Sequence, residues 1–187
     1  MILINFNPRA NLPLRPNSLW KIESGAVRTL TWLEDGTVVT LGIWGPGDVV
    51  GLTLTPSKPY QIECLTKVGA IPIPLIENDQ LIKILKAHVQ QLEDLTLIRS
   101  HKRTEFMLLN LLSWLAEKFG CEVNTGELKT GQLIDLRLTH QDIADILGSS
   151  RVTITRMLSQ FEQQGLINRL PVHRILFCGE AIWDYEI

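Results

Sequence analysis

The sequence lacks most of the features that mark membrane, secreted or metal-binding proteins. Its longest stretch without a charged residue runs from Gly36 to Gly47, which is far shorter than the roughly 20 apolar residues of a membrane-spanning helix. The N-terminus has no basic segment followed by a long apolar run, so we expect no export signal and a cytoplasmic location. The three cysteines are widely spaced and form no Cys-x-x-Cys pair, and we interpret them as buried, reduced thiols. They are Cys64, Cys121 and Cys178.

The sequence also lacks an excess of either charge and any motif of a common enzyme class. It has 18 Lys and Arg against 20 Asp and Glu, so net charge gives no indication of a polyanionic partner. We find no glycine-rich phosphate loop and no Gly-x-Ser-x-Gly motif, and we interpret Gly45-Pro46-Gly47 as a turn. We therefore predict no enzyme, no catalytic residue, no metal and no cofactor. With 187 residues, of which 45% are hydrophobic, the chain can build two compact units.

Residues 1–76 have the composition of short β-strands separated by turns. Runs rich in Val, Ile, Thr and Trp alternate with Gly, Pro and Asp, as in small antiparallel sheets. Asp35-Gly36 lies between the apolar runs 26–33 and 37–44 and predicts a hairpin, because glycine accepts the positive φ of a tight turn. One or two further strands are predicted between Gln61 and Ile73. We therefore expect a small antiparallel β domain.

Residues 77–103 change to a helical period. Apolar side chains recur at steps of three and four, which places them on one stripe of a helix of ~20 residues. Two interpretations are open: the helix packs on its own domain, or it pairs with the same helix of a second copy. We favour the dimer, because a narrow apolar stripe on a long helix needs a partner. The predicted dimer residues are Ile82, Leu85, Val89, Leu92 and Leu95.

Residues 104–187 begin with a second, more apolar helix. It is predicted from Phe106 to Phe119, with Gly120 as its stop. From Cys121 the sequence reads as a glycine-containing loop, followed by a short strand over Leu133–Leu138.

The clearest pattern lies between Thr139 and Gly165. Thr139 is a natural N-cap with Asp142 three residues later, which predicts the start of a helix. Gly148 then ends that helix, and Ser150 supplies a second N-cap before Arg151. Two short helices so close in sequence must cross at a steep angle. The pattern therefore predicts a helix-turn-helix.

The second of these helices has a polar outer face. Ile154, Met157, Leu158 and Phe161 form its inward face at 100° per residue. We expect the opposite face to read DNA bases, because arginine forks onto guanine and an exposed valine contacts a thymine methyl group. The predicted base-reading residues are Arg151, Val152, Thr155, Arg156 and Ser159.

A hairpin around Leu170-Pro171 is predicted to form a wing beside this helix. Four arginines against one carboxylate, Glu162, give residues 149–177 a formal charge of 4 − 1 = +3, which suits the DNA backbone. The predicted backbone contacts are Thr139, Ser149, Ser150, Thr153, Arg169, His173 and Arg174.

The segments Leu138–Leu158 and Glu162–Ile167 resemble the C-terminal winged helix of the Crp/Fnr family of bacterial transcription regulators. The core Ser-Arg-Val-Thr-Ile-Thr-Arg, from Ser150 to Arg156, is most similar to the cyanobacterial nitrogen-control branch of that family. Upstream, Gly25–Arg28 and Gly45–Gly51 resemble its β-roll signature.

The resemblance implies an α+β architecture. It comprises a truncated N-terminal β-roll of the cyclic-nucleotide-binding type over residues 1–76, a long dimerisation helix and hinge over 77–103, and a C-terminal winged helix-turn-helix domain over 104–187. The implied function is sequence-specific transcription regulation by a homodimer bound to a pseudopalindromic site in double-stranded DNA, with RNA polymerase as a further partner and no membrane contact. The nitrogen-control likeness implies an inverted repeat with a GTA-like half-site.

Two departures from the family pattern change these expectations. The family's recognition helix often carries Arg-Glu-x-x-x-Arg, and Val152 stands where the glutamate would accept a hydrogen bond from cytosine. The family's cyclic-nucleotide pocket holds the phosphate with an arginine, and no arginine occurs between Gly51 and Arg99. We therefore expect an altered half-site and no cyclic-nucleotide gating. Three dispersed cysteines also cannot supply the four ligands of an iron–sulfur cluster.

A second hypothesis is a degenerate family member that binds protein, as an adaptor or anti-regulator. Salt dependence separates the two, because DNA binding weakens steeply with salt through counterion release. His88 is interpreted as a structural histidine rather than as a haem ligand or pH sensor.

Overall fold

The computed structural model describes residues 2–74, 79–123 and 131–178. It divides into two compact units, one within Met1–Leu95 and one within Thr96–Ile187. The strands are β1 (Ile4–Phe6), β2 (Ser18–Ser24), β3 (Val27–Trp32), β4 (Val38–Trp44), β5 (Val49–Val50), β6 (Gln61–Cys64), β7 (Val68–Pro74), β8 (Gly120–Val123), β9 (Gly131–Ile134), β10 (Ile167–Leu170) and β11 (Arg174–Phe177). The helices are α1 (Asp79–Ser100), α2 (Thr104–Phe119), α3 (His140–Leu147) and α4 (Arg151–Gln163), with a short 3-10 turn at Leu52–Leu54.

The first unit is built from two antiparallel sheets. One has the strand order β1-β7-β2-β5 and the other the order β4-β3-β6. The predicted hairpin is confirmed, since β3 and β4 pair antiparallel around Gly36, whose φ is 82°. The chain also contains two short strands, β1 and β5, that the sequence pattern did not indicate.

Two tryptophans anchor the core of this unit. Trp20 and Trp44 are 1% and 3% exposed, and each ring nitrogen keeps a hydrogen-bond partner despite its burial. Trp20 Nε1 donates to the carbonyl of Pro13 at 2.8 Å, and Trp44 Nε1 donates to Thr29 Oγ1 at 3.0 Å. The indoles therefore bury a large apolar area without leaving a polar group unsatisfied.

Helix α1 carries two different faces. On one face, Ile84 packs against the buried cluster of Leu19, Val49 and Ile73, and Leu95 is 1% exposed. On the other face, four of the five residues predicted for a dimer are 44–55% exposed, namely Ile82, Leu85, Val89 and Leu92. The assignment of Leu95 to that exposed stripe is wrong, because Leu95 follows the inward period of 84, 88, 91 and 95.

The second unit packs α2 and the helix-turn-helix with an antiparallel sheet of order β10-β11-β9-β8. Six apolar side chains of α2 are buried, Leu108, Leu111, Leu112, Trp114, Leu115 and Ala116. Arg99 Nε, near the end of α1, donates to the carbonyl of Ile146 at 2.6 Å. This places a cation at the C-terminus of α3, where the helix dipole favours positive charge.

Three sequence predictions need correction. The strand expected over Leu133–Leu138 is β9 and ends at Ile134, because Arg137, with φ 53°, interrupts the extended backbone. The segment at Cys121, expected to be a loop, forms β8. Of the three cysteines expected to be buried, Cys64 is buried, Cys178 is half-buried and Cys121 is exposed. The predicted change of character near residue 77 lies outside the described residues.

Candidate nucleic-acid interface

Helix α3 begins with a complete capping box. Thr139 Oγ1 accepts a hydrogen bond from the Asp142 backbone N–H at 3.1 Å, and Asp142 Oδ2 accepts from the Thr139 backbone N–H at 2.7 Å. Asp142 is 4% exposed, and these two hydrogen bonds satisfy its carboxylate and the Thr139 hydroxyl inside the fold. Gly148 ends the helix with φ 64° and ψ 37°, a left-handed conformation that glycine adopts at little cost. These are the residues from which the helix-turn-helix was predicted.

Helix α4 begins at Arg151, directly after its predicted cap. Ser150 Oγ accepts from the Thr153 backbone N–H at 3.1 Å. Ile154, Leu158 and Phe161 are buried, as expected for the inward face. Met157 is half-buried, so it lies at the edge of this face rather than in its centre.

The outer face of α4 presents two arginines and a valine. Arg151 and Arg156 are exposed, and their guanidinium groups make no hydrogen bond or ion pair with any residue that the structure describes. Val152 is 78% exposed, one of the highest values for a large apolar side chain in the described part of the chain. An isopropyl group held in water gains nothing for the isolated fold. These three side chains are free to contact a partner.

Two other predicted base-reading residues make hydrogen bonds within the helix. Thr155 Oγ1 donates to the carbonyl of Arg151 at 2.8 Å, and Ser159 Oγ donates to the carbonyl of Thr155 at 3.1 Å. Thr155 also contacts His140, whose Nδ1 lies 2.8 Å from the hydroxyl oxygen. His140 is not among the residues that the sequence predicts for the site, because a contact between residues 15 apart depends on how the two helices cross.

The wing is the hairpin of β10 and β11, as predicted. Residues 167–170 pair antiparallel with 174–177, and the tip contains two non-glycine residues with positive φ, Val172 (64°) and His173 (58°). Both side chains are exposed. Arg174 Nε donates to the carbonyl of Pro171 at 3.2 Å, which holds its side chain against the tip.

One predicted backbone contact, Arg169, is already paired. Its Nε and Nη2 donate to Glu162 Oε2 at 2.8 and 2.5 Å, and its backbone N–H donates to Oε1 at 3.1 Å. These bonds hold the pKa of the Glu162 carboxyl below its ordinary value. The single carboxylate of this region therefore neutralises the wing arginine and not the arginines of α4.

Basic side chains from three different elements lie around His140. Burial of its ring lowers its pKa, and the positive charges of Arg169, His173 and Arg151 lower it further. These three neighbours belong to β10, the wing tip and α4. The first turn of α3, the start of α4 and the wing thus lie close enough to share one electrostatic field, as a phosphate-binding surface requires.

The first unit contains a cavity of about 290 Å³. Trp44, Tyr60, His88 and Leu92 contribute to its wall, and no Arg or Lys does so among the described residues. The His88 ring stacks on Trp44 at 4.1 Å and its Nε2 lies 2.9 Å from the carbonyl oxygen of Val49. The buried arginine of this unit, Arg28, pairs with Glu63 at 2.5 Å.

No helix within the described residues is both long and apolar enough to cross a membrane. Within the same residues, His, Cys, Asp and Glu side chains form no group of three that could hold a metal ion.

Comparison with known proteins gives matches over most of the chain. A family model described as a Crp-like helix-turn-helix domain matches residues 107–178. The regulatory protein CysR of Synechococcus elongatus is 43% identical over 167 residues, which cover 86% of this chain and 77% of that protein. The global nitrogen regulator of a Nostoc species is 27% identical over 170 residues, covering 80% and 74%.

Solved structures match the fold. A transcriptional regulator of the CRP family from Thermus thermophilus has a TM-score of 0.76 at 20% identity, covering 94% of this chain and 92% of that one. FixK2 from Bradyrhizobium japonicum has a TM-score of 0.75 at 21% identity, covering 95% and 92%. At these identities the likeness is one of fold.

Proposed function

The chain belongs to the Crp/Fnr family of DNA-binding transcription regulators, and from this premise we propose that it binds a pseudopalindromic site as a homodimer. In this proposal α4 of each protomer enters the major groove of one half-site. The wing and the first turn of α3 contact the phosphates beside it. No cyclic nucleotide gates the complex.

The outer face of α4 carries this proposal. Arg151, Val152 and Arg156 are exposed, and no contact within the described part of the chain explains why a valine lies beside the arginines on a solvated surface. Each arginine can fork onto the N7 and O6 atoms of guanine, and the valine methyl groups fit the methyl group of thymine. This set of contacts favours a half-site that contains a G-T step.

The identity of the half-site follows from the same residues. We propose a GTA-like triplet in an inverted repeat, as in the nitrogen-control branch, supported by the Ser150–Arg156 core and by the relationship to the nitrogen regulators. Valine at position 152 also supports this half-site, because the side chain there offers no acceptor for a cytosine amino group.

Dimerisation is proposed through the exposed stripe of α1. Ile82, Leu85, Val89 and Leu92 repeat at steps of three and four, the period of a two-stranded coiled coil. Each is about half exposed, so pairing two copies would remove a continuous apolar strip from water. A two-fold dimer would then present two α4 helices to half-sites about one turn of DNA apart.

The proposal that no cyclic nucleotide gates the protein is supported by the cavity of the first unit. A cyclic phosphate is an anion and needs a cationic or donor-rich cradle. Leu54, Pro56 and Tyr60 stand along the cavity wall, and Arg28 is engaged by Glu63. RNA polymerase as a further partner stays a prediction.

Selection of duplexes from a random pool tests this function directly. We expect enrichment of an inverted repeat with a G-T step in each half, without added cyclic nucleotide, and an affinity that falls steeply from 50 to 200 mM salt. Arg156→Ala should lose discrimination at one base pair per half-site. A pool that shows no enriched sequence, or binding that does not respond to salt, would refute the proposal and favour a protein-binding role.

A further inference from the structure

The Thr155 hydroxyl lies between two hydrogen-bonding groups that belong to different helices. Its oxygen is 2.8 Å from the backbone carbonyl oxygen of Arg151, one turn earlier on α4. It is also 2.8 Å from Nδ1 of His140, the first residue of α3. Both contacts have ordinary hydrogen-bond lengths.

Proton accounting fixes the direction of both bonds. A carbonyl oxygen can only accept, so the single hydroxyl proton of Thr155 points toward Arg151. The contact with His140 then needs a hydrogen on Nδ1, which the histidine donates to the hydroxyl oxygen. One lone pair of that oxygen remains for a group outside the protein.

We propose that His140 is a positioning residue that fixes Thr155 as a hydrogen-bond acceptor and so makes it select a base with an exocyclic amino group, adenine or cytosine. This inference rests on the proposed function, because it needs α4 in the major groove. Phosphate oxygens only accept, so a hydroxyl whose proton is committed cannot bind the backbone. N6 of adenine and N4 of cytosine are the donors that the major groove offers.

The position of Thr155 suits this role. The residue is exposed and lies one position before Arg156, at the edge of the outer face of α4. Without His140, only the Arg151 carbonyl would hold the hydroxyl proton, and no Nδ1–H would oppose its rotation. The hydroxyl could then donate to a base as well as accept from one. Thr155 would then pair with a hydrogen-bond donor or an acceptor on a base edge, and the preference would be lost.

This selection should not change with pH. Neutral His140 with a hydrogen on Nδ1 and the fully protonated ring both donate from Nδ1. The basic groups that face the ring, Arg151, Arg169 and His173, disfavour the second proton, which would go to Nε2. Titration of the histidine therefore alters the charge near DNA without altering the hydrogen bond that Thr155 accepts from Nδ1.

The test uses the full chain, the duplex enriched by selection, and duplexes changed at each base pair in turn. Wild type should prefer adenine or cytosine at one position per half-site by about three- to tenfold, the range of a single hydrogen bond. Thr155→Val, which is isosteric, and His140→Ala should both abolish that preference. His140→Asn retains an amide donor near the place of Nδ1 and should restore it. His101→Asn, the same change at an exposed histidine outside the predicted interface, should leave it intact.

The outcomes separate this inference from the proposed function. If wild type selects no sequence, the proposed function itself fails. If wild type binds its site specifically and Thr155→Val or His140→Ala keeps every base preference, the role of His140 is refuted. Failure of His140→Asn to restore the preference, in a protein with wild-type thermal unfolding, or a preference that changes between pH 5.5 and 8, also refutes it.

Discussion

In the proposed complex, the carboxylate of Glu162 limits how strongly the wing attracts DNA, and its removal provides a sensitive test of the interface. It binds the Arg169 guanidinium through Oε2 and the Arg169 backbone N–H through Oε1. Glu162→Gln removes the negative charge and keeps an amide oxygen that can still accept from the backbone N–H. Arg169 then becomes available to a phosphate, with little change in shape.

The expected effect can be worked out from the contacts. One additional phosphate contact makes the slope of log affinity against log salt steeper by about 0.9. Between 50 and 200 mM salt, a fourfold change, this corresponds to about 3.5-fold additional loss of affinity. The Arg169 and Glu162 side chains are 36% and 34% exposed, so losing the pair should lower the free energy of unfolding by less than about 1 kcal/mol.

Fluorescence anisotropy of a labelled duplex over a salt series measures the effect at pH 7. Glu162→Gln should bind more tightly at 50 mM salt with the steeper slope, whereas Glu117→Gln, the same change on α2, should not. Because Arg169 lowers the pKa of Glu162 from 4.5, the ion pair stabilises the fold above pH 4.5 and is lost as the pH falls further. The stability difference between wild type and Glu162→Gln should therefore vanish in acid. An unchanged salt slope would refute a wing contact by Arg169.

Three further outcomes are expected. Leu85→Asp places a charge in the apolar stripe and should weaken the dimer at least tenfold in sedimentation experiments. Lys83→Asp, on another face of α1, should not weaken it. A wild-type protein that is monomeric at high concentration would contradict this prediction. Val172→Gly should raise the free energy of unfolding by about 1 kcal/mol in urea titrations, because a β-branched residue at φ 64° is strained. An unchanged free energy of unfolding would show that Val172 is not strained in the wing tip. Arg156→Ala should cost about 1–3 kcal/mol at one base pair, whereas Arg174→Ala should weaken all duplexes alike; uniform losses in both variants would disprove these separate roles.

The helix-turn-helix was predictable because its signals are local. A threonine cap with Asp142 three residues later, Gly148 at the helix end and Ser150 as the second cap each act within one helical turn. Their geometry needs no information from the rest of the chain. The same holds for the hairpin at Gly36 and for the period of α1.

Contacts between distant residues were not predictable in this way. The sequence shows that Leu95 is apolar and at helical spacing, but its burial depends on which face of α1 turns toward its own unit. Nothing in the sequence near Arg169 indicates an ion pair, because the pair with Glu162 forms only when the hairpin packs beside α4. Strand β8 has few strand-forming residues and owes its conformation to pairing with β9.

By itself, the amino-acid sequence determined the hairpin of β3 and β4, the caps of α3 and α4, and the arginines and valine of the outer face. Such features depend on interactions between residues a few positions apart. The tertiary structure alone decided that Arg169 is neutralised, that α1 has an inward and an exposed face, and that His140 meets Thr155. Those outcomes depend on how the elements cross, because the energies of long-range contacts are set by distance in space.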